Sequence, residues 1–539
     1  MPQPQWDVLL VGSGPSGAQA AETLVGSGAS VALLDVGSRD TTYEPLVPEG
    51  DFTSLRESDP RQHRYFLGDH FEGIPWDSVR TGAQLTPSRK VIQRHVEHLA
   101  PWRSESFFPL RSLAYGGLGV GWGAGCYAYS PDELKSIGLC PDEFRDAYQV
   151  ISDRIGISVG EDDLREHVLE AIENTQPAVG IDNSGERILN AYARKREALN
   201  RDGIYVGRPS AAILTQNLGN RKKTAYDDMD FYANRGGSVY RPDLTFDALQ
   251  EEKNFSYLPS TLVLAFRECG GHVEVDARNS ESGERQTFSA RRLVLAAGAL
   301  GTGAIVMRSF PAIQRLPILC NPYTYVPCLH LPMLGKPLSR EKTSLVQVMM
   351  VYRPPHAPED LVTVSLYTYR SLLLYRLVRE APVNFADGRR LLHFLQSAFV
   401  VAGVHHRDVS TENKFFRLEP DPSTFTGDRL VAEYALTDGE QRRIHQREKV
   451  VRRALRALRA YPIKRVDPGP GSSIHYAGTL PVEEDGVAAG TTMPSGKLHG
   501  SEFVYVADGS CFRALPAKGI TLTLMANGHR VAGNVLATL

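Results

Sequence analysis

The stretch Asp7-Val-Leu-Leu-Val11, Gly12-Ser-Gly14-Pro-Ser-Gly17 and Ala18-Gln-Ala-Ala-Glu-Thr-Leu-Val25, then Ala29-Ser-Val-Ala-Leu-Leu34 ending on Asp35, decides the fold of this chain. The first run is apolar and strand-length, the third carries apolar residues at helical spacing, and the last reads as a second strand. Strand, glycine turn, helix, strand and acid is the order that a βαβ dinucleotide site requires. Gly12 permits the tight turn, Gly14 lets the backbone approach a pyrophosphate, and Gly17 lets the helix pack close to the strands. Ser16 lies in the first helical turn, where free N–H groups and a partial positive charge face the phosphates. Asp35 is placed to accept hydrogen bonds from ribose hydroxyls. The motif alone does not separate FAD from NAD; its position at the N-terminal end of a long chain leans towards FAD.

Working outward, 539 residues exceed one compact core, so two domains are expected. Lysine and arginine total 60 against 62 acidic residues, and a net charge of −2 leaves no basic footprint for nucleic acid. The first apolar run has no charged region before it and no small-residue cleavage site, so no signal peptide is read. No stretch reaches the roughly 18 to 20 apolar residues that cross a bilayer. Cys126, Cys140, Cys269, Cys320, Cys328 and Cys511 are scattered, without metal-type spacing. The expectation is a cytoplasmic protein with reduced thiols and no metal site.

Three further segments carry the argument. Tyr115-Gly-Gly-Leu-Gly-Val-Gly-Trp-Gly-Ala-Gly125 is a second glycine-rich loop, suited to a backbone that runs close to something flat or bulky. Arg292-Leu-Val-Leu-Ala-Ala-Gly298-Ala-Leu-Gly-Thr302 is a strand entering small residues and then a helix. Phe503-Val-Tyr-Val-Ala-Asp508-Gly-Ser510, followed by Leu515 to Ala526, is another strand, loop and helix. Together with Ser473-Ile-His475-Tyr-Ala-Gly478-Thr479, these segments span the chain, and the sequence resembles the glucose–methanol–choline (GMC) oxidoreductase family. Residues 160–240 and 305–460 carry no motif of that family.

The resemblance implies a Rossmann-like FAD domain of α/β class and a substrate domain with a large antiparallel sheet and helices. It implies that Gly116, Gly117, Trp122, Gly123 and Ala124 pass the isoalloxazine near its reactive edge. Val263 would meet the adenine through its main chain, and Ala297, Gly298 and Thr302 would pack on the adenosine half. Asp508 and Gly509 would touch the pyrophosphate and ribityl chain. The helix beginning near Ile520, with Thr521 in its first turn, would aim its N-terminus at the flavin, where negative charge develops on reduction. No cysteine or histidine stands out as a covalent tether, so FAD is expected to be bound non-covalently.

The activity implied is oxidation of an alcohol, with a hydride passing to the flavin while a base takes the hydroxyl proton. The family's base is the histidine of the His475–Thr479 segment. Its second histidine or asparagine, on the loop before the last helix, aligns with Gly519, which has no side chain. Lys518, Thr521 and Asn527 are the nearby candidates to compensate, although Asn527 also suits helix packing. Gly519 keeps a second reading open, a flavin-bound lyase or isomerase in which FAD is not turned over.

For the substrate, Tyr323, Tyr325, His330, Gln347, Tyr367, Tyr369, His405 and His406 form a mix suited to a sugar, amino sugar or polyol. Glu483-Glu-Asp485 suits either a cationic substrate, as in aminoglycoside biosynthesis, or a solvated loop. Electrons would pass to oxygen or another acceptor. Leu372–Val378 and Leu391–Ala402 read as core helices, with contact to a membrane or a lipid-linked substrate as the alternative. Gln441–Ala460 reads as an amphipathic helix with a solvated basic face, and 216–237 as a loop near the site. The FAD domain is expected at 1–160, 240–310 and 465–539, and the substrate domain with its lid segments at 161–239 and 311–464.

Overall fold

A computed structural model describes residues 5–48, 50, 54–55, 58–71, 87–169, 172–226, 234–337, 339, 346–368, 383–485 and 489–539. Its centre is a seven-stranded sheet. Five of the strands are parallel, in the spatial order Phe255–Leu258, Val31–Leu34, Trp6–Val11, Arg285–Leu295, Val504–Val506. Numbered along the chain, that order is third, second, first, fourth, fifth, the arrangement of a Rossmann sheet. Arg285–Leu295 is long enough to serve twice. Its first half pairs antiparallel with His272–Asn279, and its last three residues pair with Val504–Val506.

The apolar runs are continuous because both faces of this sheet are covered. Side chains alternate: Val8, Leu10, Val31 and Leu33 pack with Ala21 and Leu24 of the helix Pro15–Gly26 and with Val531 and Val535 of the C-terminal helix Thr521–Leu536. Leu9, Val11, Ala32 and Leu34 belong to the opposite face, with Ile305 of the helix Gly298–Ser309 and Phe416. Phe416 belongs to the hairpin of Lys414–Pro420 and Asp428–Tyr434. This hairpin thus packs on the dinucleotide sheet, although its sequence position falls within 311–464.

The second large sheet has six antiparallel strands, in the order Ala460–Pro462, Tyr323–His330, Phe399–His405, Val362–Thr368, Val348–Tyr352, Ile204–Gly207. Val326, Cys328, Val364, Leu366, Val400, Ala402 and Val404 face the helix Asp438–Ala457 through its Val451, Ala454 and Leu455. The alternate residues, Tyr323, Tyr325, Thr363, Ser365, Tyr367, Val401 and His405, line a cavity that runs back to the dinucleotide motif. The expected α/β class and second antiparallel sheet are therefore both present.

Several local expectations change. Leu391–Ala402 is not one helix: the helix Phe385–Leu395 gives way to the strand Phe399–His405, whose Val400, Val401 and Val404 suit a pleated surface better than a helix. The basic helix begins earlier than expected, because Thr437 and Glu440 form a capping box. Leu372–Val378 and Tyr369 lie outside the described residues, as does part of the loop 216–237. Among the described residues, no helix is long and apolar enough to cross a membrane, and no histidine, cysteine or carboxylate group forms a metal cluster.

Candidate active site

At the carboxyl ends of Trp6–Val11 and Arg285–Leu295, where the strand order reverses, Gly12 lies against Ala296 and Ala297. A Cβ on Gly12 would come within 2.6 Å of the Ala296 oxygen, and its φ of +98° favours glycine in any case. A Cβ on Gly17 would overlap the Gly12 carbonyl, so helix and turn meet only because residue 17 is glycine. From this switch point opens a cavity of about 660 Å³.

Its walls collect residues from every segment that carries the family resemblance. Gly12, Gly14, Ser16 and Asp35 line the motif end, with Val263 from the strand Thr261–Cys269. Gly117, Trp122 and Gly123, then Ala297 and Gly298, then Asp508, Gly509, Gly519 and Thr521 continue it, and His475 lines it too. Gly14, Gly123 and Gly298 have nothing within 4 Å of where a Cβ would stand. These three points leave a glycine-lined cradle of the kind that an extended dinucleotide needs. The helices Pro15–Gly26 and Thr521–Leu536 both present their N-termini to it. The residues present fit FAD.

The remaining expected contacts lie behind the wall. Gly116 donates its N–H to the Ser13 hydroxyl at 2.8 Å, and Ser13 donates to Asp35 at 2.5 Å, which ties the two glycine loops together. Burial pushes the Asp35 carboxyl up to about 7, against the hydrogen bonds from Ser13. Thr302 donates to Asp508 at 2.6 Å and accepts from the Ala297 N–H, so it orients the acid rather than lining the cavity. Ala124 is fully buried with a φ of +52°. Asn527 donates to the Ala507 carbonyl and accepts from Arg530, deep within the helix packing. Lys518 is buried in an ion pair with Glu133 at 2.6 Å. Neither of these two compensates for Gly519.

What stands at Gly519 is Tyr127. Its ring carbons Cδ2 and Cε2 lie 3.0 and 3.4 Å from where a Cβ on Gly519 would be, and the same ring edge crosses Gly125. The position left without a side chain is filled by an apolar edge from the end of the second glycine loop.

His475 is held by a residue that sequence reasoning missed. The Asn321 amide nitrogen donates to the carbonyls of His406, Leu515 and Pro516 at 2.8, 3.2 and 3.0 Å. Its oxygen therefore faces His475 Nδ1, at 3.0 Å. Nδ1 must carry the proton, and Nε2, with no hydrogen bond to a described residue, keeps its lone pair. Burial lowers the His475 pKa to about 4, so the ring is neutral near pH 7. Ile474, just before it, holds a left-handed φ of +63°, a strained setting for a β-branched side chain. Asn321-Pro322 links the strands Leu319–Cys320 and Tyr323–His330, a pattern that carries no chemical signal in sequence.

Of the expected substrate contacts, Tyr323, Tyr325, Tyr367 and His405 line the cavity. His330 is buried against Ser184, Gln347 accepts from the Asp182 N–H, and His406 packs beside Glu448. Glu483, Glu484 and Asp485 are exposed and off the wall. The charged groups along the cavity are Asp35, Asp508, and Arg111 and Arg308, which pair with Glu97 and Asp428. Among the described residues, no carboxylate, lysine or arginine belongs to the wall of Tyr323, Tyr325, Thr363, Ser365, Tyr367 and His405. None of the six cysteines lines the cavity.

No protein-family model and no curated protein sequence matches the chain. Solved structures do. Pyridoxine 4-oxidase from Mesorbium loti is 15% identical with a TM-score of 0.58, over 98% of this chain and 99% of that one. A formate oxidase from Aspergillus oryzae RIB40, studied for modification of its FAD, is 11% identical with a TM-score of 0.61, over 99% and 98%. From end to end, this chain has the fold of these two oxidases, which is the fold that the GMC resemblance implies.

Proposed function

We propose that this chain binds FAD non-covalently and oxidises an uncharged, hydroxyl-bearing small molecule to an aldehyde or ketone. Bound FAD supplies the acceptor for the hydrogen that leaves carbon with its electron pair. His475 Nε2 receives the hydroxyl proton. The observation that carries this reading is the Asn321–His475 hydrogen bond, which leaves a neutral imidazole with a free lone pair on a cavity that begins at the dinucleotide motif. Such a base works in the protonation state that burial favours.

The tyrosine-lined wall supports a sugar, polyol or aromatic alcohol, since phenol rings stack and their tips hydrogen-bond. A cationic amino sugar finds no carboxylate among the described residues of that wall, which weighs against the aminoglycoside candidate. The names of the two structural neighbours support oxygen as the electron acceptor.

The test is an anaerobic absorbance titration of the purified yellow protein with pyridoxine, benzyl alcohol, neutral sugars, amino sugars and formate. Loss of the oxidised flavin band with a neutral alcohol, abolished in His475→Ala with flavin retained, supports the reading. A protein that purifies without flavin refutes it. A yellow protein that none of these compounds bleaches moves the case to the lyase or isomerase reading.

A further inference from the structure

We infer that His405 supplies the second hydrogen bond to the substrate oxygen, the role for which position 519 has no side chain; this rests on the oxidation reading above. His405 ends the central strand Phe399–His405, and its ring stacks on that of His475 with centroids 5.1 Å apart and planes 23° from parallel. Both rings line the same cavity. The last loop offers no side chain here, because position 519 is glycine and ring carbons of Tyr127 fill the space beside it.

Most other hydroxyls on this wall are committed, whereas that of Tyr127 has no hydrogen-bond partner among the described residues. Thr363 donates to the Ala517 carbonyl at 2.7 Å, Thr368 to Asp182, and Ser472 to the Gly469 carbonyl at 2.7 Å. Ser473 is paired with Cys320, Tyr323 with Tyr325, and Tyr367 with Ser365. The imidazole of His405 makes no hydrogen bond to another described residue. It is nonetheless held in place. Tyr323 lies on it with centroids 4.3 Å apart, and Gly403 is glycine because any Cβ there would overlap the Tyr323 hydroxyl. Burial and the neighbouring His475 keep His405 neutral, so it has one N–H to give.

In the reaction, the substrate O–H proton moves to His475 Nε2 and the oxygen's electron pair forms the new C=O bond. The carbon-bound hydrogen leaves with its two electrons to bound FAD, which is reduced. The His405 N–H donates to the substrate oxygen as negative charge builds there, and is not itself transferred.

The experiment uses the flavin-loaded enzyme, wild type beside His405→Ala and His405→Gln, titrated anaerobically with benzyl alcohol and pyridoxine. Flavin content, the shift of the flavin band on binding and the rate of bleaching are read together. The expected result is unchanged flavin content in His405→Ala, weaker binding and bleaching slower by about 100-fold, with partial recovery in His405→Gln, which keeps an N–H. Where the alanine variant does not fold, His405→Phe, which keeps the ring stacking and has no N–H, takes its place. Bleaching at the wild-type rate in the variant without an N–H overturns the inference and leaves the oxidation reading standing. If wild type is shifted but never bleached, and His405→Ala weakens that shift, the contact stands and the oxidation reading falls. No shift and no bleaching in wild type overturns both.

Discussion

Burial lowers the His475 pKa from 6.5 to about 4, and this sets the pH dependence expected of the reaction. The proposed base works when deprotonated, so the rate of flavin reduction at low substrate is expected to stay level as pH falls from about 8 to about 5. It then drops about tenfold per unit below pH 4. A stopped-flow pH profile checks this; a midpoint at the ordinary histidine value would mean that the ring is not held as described. Asn321 belongs to the same scale. Asn321→Ala removes the acceptor that keeps the proton on Nδ1, and bleaching is expected to slow by about 10- to 100-fold with flavin content unchanged. Of these two partners only His475 was legible in sequence. A motif gave its position away, whereas Asn321 acts through contacts with residues 85 to 195 positions distant.

Two helices from opposite ends of the chain meet beside the motif. Gly528 of Thr521–Leu536 lies on the Ser16 carbonyl of Pro15–Gly26 so closely that a Cβ would overlap it. Gly528→Val is therefore expected to push the helices apart, to lower stability by about 1–3 kcal/mol and to weaken flavin retention. Gly533→Ala, where nothing lies within 4 Å, is the control and is expected to be neutral or stabilising by up to about 1 kcal/mol. Thermal melts with flavin content read on the same samples compare the two. At this scale the helix after the motif was readable, because glycine turn and apolar spacing are local. The stretch Leu391–Ala402 was not, because an apolar run suits a buried helix and a buried strand equally until neighbouring strands select one.

Across the whole molecule, the cavity wall is shared between the two sheets, so a bound dinucleotide ties residues 11–36 to residues 261–308 and 472–524. Removing the flavin is expected to lower the melting temperature, and adding FAD back to restore it. At 100 times its dissociation constant, FAD contributes about 2.7 kcal/mol. NAD at the same concentration is expected to leave the melt unchanged, which resolves the choice that the glycine motif left open.

By itself, the sequence determined the βαβ motif, the cofactor segments and the candidate base, since each is written in a few adjacent residues whose spacing reflects local backbone geometry. Only the tertiary structure decided which nitrogen of His475 is free, what fills the space at Gly519 and which sheet face meets the cofactor cavity. Those depend on Asn321, Tyr127 and His405, brought together from strands and loops far apart in the chain. Their roles come from distance and burial, which no local pattern records.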